Sequence, residues 1–418
     1  MTAPRAGHLR HDAASRRTMF ALALTSFAFA CQDPAALVAR LRTAAPGELA
    51  AAAAAVEAAG EPALKPLRAL RDDTKDADLR ARIEQILGGI ELQHPGGLML
   101  AFTRGETSAC ELCIWQDGTE VQITHNNLME NEPALSPDGK HLAFARAPHH
   151  HDFGAHPILL RELASGKEQE LGKGRSPCWS RDGTLAIARG STIELRQLCD
   201  ANERLIGEGL GELSHLQWSP NGRFLAAESK DGIVVLEAAT GALHARIDGT
   251  PPDCSSLYNF SLGDSLVAMV SGNGPYDWDV FVTAIADGAP ARKLTRESFR
   301  HGMASLSPDA SCLLSLQSTP GARGYAAYVL NVREDADPAP REVFASASPL
   351  LRASWSPEGR FVVFASANET LQLLHVRSGR TRALAKMQVG YGPATTWFAP
   401  SVWFANGRAM PRVAVAEK

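Results

Sequence analysis

One phrase recurs through most of this 418-residue chain: an apolar strand runs into Ser-Pro-Asp-Gly, and a second apolar strand runs out. Full copies span Pro133–Phe144 (PALSPDGKHLAF), Pro177–Ile187 (PCWSRDGTLAI), Leu216–Ala226 (LQWSPNGRFLA) and Ala353–Phe364 (ASWSPEGRFVVF). Weaker copies lie at Phe260–Val267 and Leu306–Leu314. Proline fixes φ near −65° and glycine accepts positive φ, so the phrase makes a tight reversal between two strands. The turn serines are Ser136, Ser180, Ser219, Ser261, Ser307 and Ser356, at spacings of 44, 39, 42, 46 and 49 by subtraction. That period fits a four-stranded propeller blade. A third and fourth strand follow each copy, as in Gly232–Glu237 and then Ala242–Ile247. Ring closure would protect the sheet edges of such blades. The fold class is therefore mainly β, a seven-bladed β-propeller with six blades as the alternative, preceded by a small α-helical segment.

The Trp-Ser-Pro-Asp-Gly turns resemble those of the TolB-type WD-like repeat family. The resemblance covers roughly residues 97–405 and departs from ordinary WD repeats, because Trp278-Asp279 is the only WD dipeptide and lies elsewhere in the repeat. It implies a periplasmic or surface protein that binds other proteins. Similar propellers also precede prolyl-oligopeptidase-type hydrolases, but Gly-x-Ser-x-Gly is absent and too little chain follows residue 405 for a hydrolase domain. Residues 98–124 supply three strands for a first blade (LMLAF, ELCIW, EVQIT), and Pro393–Trp397 is expected to complete it. Val402–Phe404 is then one strand too many.

Arg5, Arg10, Arg16 and Arg17 precede an uncharged run, Thr18–Ala30, too short to span a bilayer and closed by Ala28-Phe29-Ala30. This layout reads as an export signal over residues 1–30. Cys31 follows at once and is a candidate lipidation site, with a simply cleaved chain as the alternative. Membrane association is expected only through that anchor. The remaining cysteines are scattered, and Cys110 and Cys113 read as two strand cysteines, with a local disulfide as the alternative. A net charge of −4 leans against a nucleic-acid partner.

Residues 31–93 read as a HEAT-like helical segment with helices at Pro34–Thr43, Glu48–Ala59, Pro62–Arg71 and Ala77–Ile90. So small a unit is expected to pack against the propeller or a partner. Asp72, Asp73, Asp76 and Asp78 lack the glycine and closing glutamate of a calcium loop, and read as a capping turn. Residues 97–405 form the propeller, and 406–418 a tail.

Two segments lie on the face opposite the Ser-Pro-Asp-Gly turns. In one, His149, His150, His151, Asp152 and His156 are candidate ligand contacts, and His149, His151 and His156 candidate ligands for zinc or another divalent metal. The bland alternative is a solvated polar loop. In the other, Tyr276, Asp277 and Asp279 are candidate ligand contacts, while Trp278 reads as blade packing. No catalytic residue and no required cofactor is expected. The chain reads as a non-enzymatic protein-binding or scaffolding module of the cell envelope. The rival is a hydrolase or lyase at the propeller mouth, favoured if three or more titratable side chains converge there.

Overall fold

The computed structural model describes residues 33–95, 98–106, 109–116, 118–148, 154–198, 203–251, 254, 256–273, 278–295, 302–318, 324–332, 340–347, 350–366, 370–386 and 401–404. The chain divides into two compact units, Met1–His94 and Pro95–Lys418. No helix among the described residues is long and apolar enough to cross a membrane.

The first unit holds α1 (Pro34–Thr43), α2 (Leu49–Ala59), a 3-10 turn (Glu61–Ala63), α3 (Leu64–Asp73) and α4 (Ala77–Gln93). Local chemistry sets these boundaries. The Asp33 carboxylate accepts from the Ala35 N–H, and the Asp76 carboxylate from the N–H groups of Asp78 and Leu79. Leu37, Leu41, Val56, Leu67, Ile83 and Leu87 share one apolar cluster. Asp73 pairs with Arg42 and Asp72 with Arg71, so the aspartates serve as caps and surface ion pairs.

The second unit is a succession of antiparallel sheets. The strands β1 (Leu98–Glu106), β2 (Ala109–Gln116) and β3 (Thr119–Gln122) pair in order, as do β4 (Met129–Leu135), β5 (His141–Ala147), β6 (His156–Glu162) and the first part of β7 (Glu168–Trp179). The second part of β7 starts the next sheet, with β8 (Thr184–Ala188), β9 (Ile193–Gln197) and β10 (Glu203–Ile206). Four-stranded sheets follow: β11 (Ser214–Trp218), β12 (Phe224–Ser229), β13 (Gly232–Glu237) and β14 (Leu243–Ile247), then β15 (Ser256–Leu262), β16 (Leu266–Gly272), β17 (Trp278–Ala284) and β18 (Arg292–Lys293). The last two are β19 (Gly302–Leu306), β20 (Cys312–Ser318), β21 (Tyr325–Asn331) and β22 (Arg341–Ser346), then β23 (Leu350–Trp355), β24 (Phe361–Ser366), β25 (Thr370–His375) and β26 (Arg380–Lys386). Finally β27 (Ser401–Phe404) returns to pair antiparallel with β1. Because β7 serves two sheets and β2 touches β4 at Cys110 and Met129, the first three sheets read as one mixed, longer sheet. This is a propeller-like architecture of the general kind the repeat implied.

The closing strand differs from expectation. It is Ser401–Phe404, the segment that sequence reading left over, and Pro393–Trp397 lies outside the described residues.

Apolar clusters lie between successive sheets. Met99, Leu112 and Phe144 join the first pair, Ala143, Leu171 and Ile187 the second, and Leu314, Leu316 and Phe364 the last. In β5, Leu142 and Phe144 face one neighbour while Ala143 and Ala145 face the other. Both faces of β5 are thus buried, which is why this strand reads as an apolar run, whereas outer strands such as β10 and β14 are largely exposed.

The serines explain the repeat. Ser136 Oγ donates to Asp138 at 2.6 Å and accepts the His141 N–H at 2.9 Å, while Gly139 takes φ 67°. Ser219, Ser307 and Ser356 likewise accept the N–H five residues on, and Ser180 accepts that of Thr184. A buried hydroxyl so satisfied costs nothing, whereas an orphaned one costs about 1–3 kcal/mol. The tryptophan just before the serine reaches the preceding sheet: Trp179 Nε1 donates to Ala134 O at 3.0 Å, Trp218 to Cys178 O at 3.3 Å, and Trp355 to Ser305 O at 2.9 Å. Ser261 departs from the pattern. It lies inside β15, its hydroxyl accepting the Leu306 N–H at 3.0 Å from the next sheet, and Gly263 holds the turn position.

These turns make the fold sensitive to acid. Burial alone would raise the carboxyls of Asp138, Asp182 and Asp309, but donors from Ser136, Ser180 and Ser307 and from nearby N–H groups outweigh it and hold all three below the ordinary aspartate range. A depressed carboxyl stabilises the fold above its unfolded-chain value of about 3.9 and ceases to do so as pH falls through the folded value. We expect urea midpoints to fall less steeply below about pH 4 in Asp138→Asn/Asp309→Asn than in the parent. Parallel slopes would contradict this account.

Cys110 and Cys113 form no disulfide: they stand three apart on β2 and so on opposite faces, which rules out a bond between them. Burial pushes the Cys110 thiol up to about 11 and the Cys113 thiol up to about 12, making both poor nucleophiles.

Candidate functional site

The first strands of successive sheets touch one another in turn: β4 with β7, β7 with β11, β11 with β15, β15 with β19, and β19 with β23. Several carry a break in register. It falls between Asn131 and Ala134 on β4, Arg175 and Cys178 on β7, and Ser214 and Gln217 on β11. On these three strands the residue at the break has a left-handed backbone: Glu132 at φ 51°, Ser176 at φ 50° and His215 at φ 50°. Such a conformation is uncommon for a residue with a side chain and costs about 1–3 kcal/mol unless its surroundings impose it. Pro133 and Pro177 follow two of the three and cannot donate to a ladder, which favours a bulge there.

The three residues are linked. The Ser176 N–H donates to Glu132 Oε2 at 2.6 Å, and its hydroxyl donates to Glu132 Oε1 at 3.2 Å. The His215 N–H in turn donates to Ser176 Oγ at 3.0 Å. The second and third bulges therefore each expose an N–H that the side chain of the previous bulge covers. His215 ends this chain with its ring turned to β12, where Nδ1 lies 2.7 Å from Glu228 Oε2. Ser176 is buried, while the imidazole is 54% exposed, so it is open to a ligand. Close by, Arg175 pairs with Glu212 at 3.0 Å.

This geometry separates two chemistries. In a serine nucleophile the imidazole takes the hydroxyl proton. Here the Ser176 hydroxyl gives its proton to Glu132 and receives a backbone N–H, so it is positioned and not activated. His215 is the better proton carrier: a carboxylate orients its ring through Nδ1, leaving Nε2 for a bound molecule.

The residues singled out from sequence fall differently. Asp279 is buried on β17, with Lys293 Nζ at 2.7 Å and Thr295 Oγ1 at 2.6 Å, which braces the edge of its sheet. Trp278 packs with Val280 and Leu313. His156 is buried at the start of β6, opposite Gly174 of β7. His149, His150, His151, Asp152, Tyr276, Asp277 and Cys31 lie outside the described residues. Among the described residues no group of three or more His, Cys, Asp or Glu side chains could hold a metal. Sequence reading missed Glu132, Ser176, His215 and Glu228. One signal was available: the first three sit four places before Ser136, Ser180 and Ser219, polar residues in the run-up to an apolar strand.

No family model matches the chain, and no curated protein does. Solved structures that resemble it include TolB from Acinetobacter baumannii, at 14% identity and TM-score 0.40 over 62% of this chain and 68% of that one. An oligogalacturonate lyase in complex with manganese has 12% identity and TM-score 0.49, over 73% and 96% of the two chains. An oligogalacturonate lyase from Vibrio parahaemolyticus has 14% identity and TM-score 0.49, over 72% and 90%. Likeness at this level carries no argument about substrate or partner. It does correct the expectation of a non-enzymatic chain. Two of these three structures are lyases.

Proposed function

We propose that this chain is an exported seven-bladed propeller whose channel mouth, at Glu132, Ser176 and His215, carries out proton transfer on a small polar ligand. That is the chemistry of a lyase, or of a hydrolase working by general acid and base without a nucleophilic serine. The observation that carries the reading is the linked set itself. The Glu132 carboxylate receives Ser176, Ser176 Oγ receives the His215 N–H, and Glu228 of β12 orients the exposed His215 ring. Two titratable side chains, Glu132 and His215, thus stand at bulges of the first strands β4 and β11. Seven blades are supported by the double use of β7, and ring closure by the contact of β23 with β27 and of β27 with β4. In a closed ring the first strands line the channel, so the bulges lie where a ligand would enter.

The test is turnover of a panel of oligosaccharides and esters by the full chain. General acid–base groups contribute about 10²–10⁴-fold, so His215→Ala and Glu132→Gln should each lower kcat/KM by at least about 100-fold. Ser176→Ala should cost less, because it positions and does not react. A parent protein inert toward the whole panel, or variants that keep its rate, would return the molecule to a protein-docking role.

Export rests on the residues before Cys31, which lie outside the described structure. Intact mass of native protein should show residues 1–30 removed, with or without a lipid on Cys31. Material that keeps Met1 would refute export by this signal.

A further inference from the structure

Glu130 stands two residues before Glu132 on β4 and is fully buried. Asn126 Nδ2 donates to its Oε1 at 2.7 Å, and Arg146 Nε, from the paired position on β5, donates to it at 3.0 Å. The other arm of Arg146 reaches Glu168 on β7 at 3.0 Å, and Glu168 also receives Arg161 of β6 at 2.9 Å. The Asn126 N–H is held by Glu111 of β2 at 2.6 Å. One buried carboxylate thus gathers side chains from strands of the first two sheets.

Such a network is not there for stability alone. Burial raises the proton affinity of Glu130 against the opposing pull of Arg146 and Asn126, and apolar side chains of similar volume would serve a core at least as well. Among the described residues, the network also leaves Arg161 Nε and Glu111 Oε2 buried without a partner. Forked, charged hydrogen bonds do supply direction, which apolar contacts lack. Direction is needed here. The register with β5 lapses after Asn131, so only Met129, Glu130 and Asn131 tie the entry of β4 to that strand before the left-handed turn at Glu132.

We propose that Glu130, clamped by Arg146 and Asn126, is a positioning residue that aims the β4 bulge so that the Glu132 carboxylate meets Ser176. The inference rests on reading Glu132, Ser176 and His215 as the site, but its test needs no ligand. The readout is hydrogen exchange of the Ser176 amide in the ¹⁵N-labelled full chain. The reference is the Ser219 amide, which bonds within its own turn two sheets away from β4. Glu130→Gln and Arg146→Met should each speed Ser176 exchange at least tenfold and leave Ser219 unmoved, and Arg146→Lys should restore part of the protection. Asn126→Ala removes one bond to Glu130, together with the local bond that its Oδ1 accepts from the Leu128 N–H, and leaves the Arg146 clamp. It should therefore give a smaller acceleration, keeping the test open if the other variants fold poorly. An unmoved Ser176 amide in folded Glu130→Gln, or equal acceleration at Ser219, overturns the proposal. Loss of turnover in Glu132→Gln beside an unmoved Ser176 amide in Glu130→Gln would spare the site and remove this inference. A shifted amide in a protein without turnover would do the reverse.

Discussion

A chain ending at Pro400 should lose a large share of its stability and begin to self-associate. It would lack β27, whose residues Ser401–Phe404 pair with Ala101–Leu98 of β1. About four backbone hydrogen bonds go with it, worth about 1 kcal/mol each, so the loss is about 4 kcal/mol before any loosening of the adjoining sheets. That is a large share of the roughly 5–15 kcal/mol that holds most folded proteins together. Leu98–Ala101 of β1 would become an open edge carrying the buried side chains of Leu98, Met99 and Leu100, the kind of edge that templates pairing between chains. Urea unfolding and light scattering read the two effects, with a chain ending at residue 405 as the control. A truncated protein that stays monomeric with an unchanged midpoint would mean that β27 does not close the structure.

Gly232→Ala should be nearly as damaging, from a single methyl group. Gly232 begins β13 at φ 118°, a backbone that side chains rarely adopt. A Cβ there would lie 2.5 Å from Ile247 O and 2.9 Å from the Gly249 nitrogen, both backbone atoms that cannot swing aside. Conformational strain of about 1–3 kcal/mol adds to an overpacking cost of about 1–3 kcal/mol, for an expected loss of about 3–4 kcal/mol. Gly209→Ala separates the two contributions. Its φ of 78° is also positive, but nothing lies within 4 Å of the added carbon, so about 1 kcal/mol of strain should be the whole effect. Equal losses in the two variants would show that the contact at Ile247 is not felt.

The site was far less legible than the blades around it. The turn phrase names its own partners: Ser136, Asp138 and His141 lie within six residues, so their bonds are written locally. The caps at Asp33 and Asp76 are local in the same way. The histidine segment drew attention because its residues are adjacent in sequence, and adjacency is weak ground for convergence. Glu132, Ser176 and His215 lie 44 and 39 residues apart by number, and only the stacking of sheets brings them together. The phrase at Ser261 looked like one more turn copy because the match was loose. Packing instead drew its hydroxyl to the neighbouring sheet.

What the sequence determined by itself is what acts over a few residues: the repeat, its turns, the helix caps, and strands apolar enough to be buried on both faces. Only the tertiary structure decided which strand closes on β1, which tryptophan ties which pair of sheets, and which polar side chains meet at the bulges. Those contacts form between blades, at separations set by whole repeats. Their energies depend on how the sheets are stacked and twisted, and no short segment carries that information. Glu132 is the plainest case. Its own segment explains the bulge through Pro133, but the partner for its carboxylate arrives one blade later.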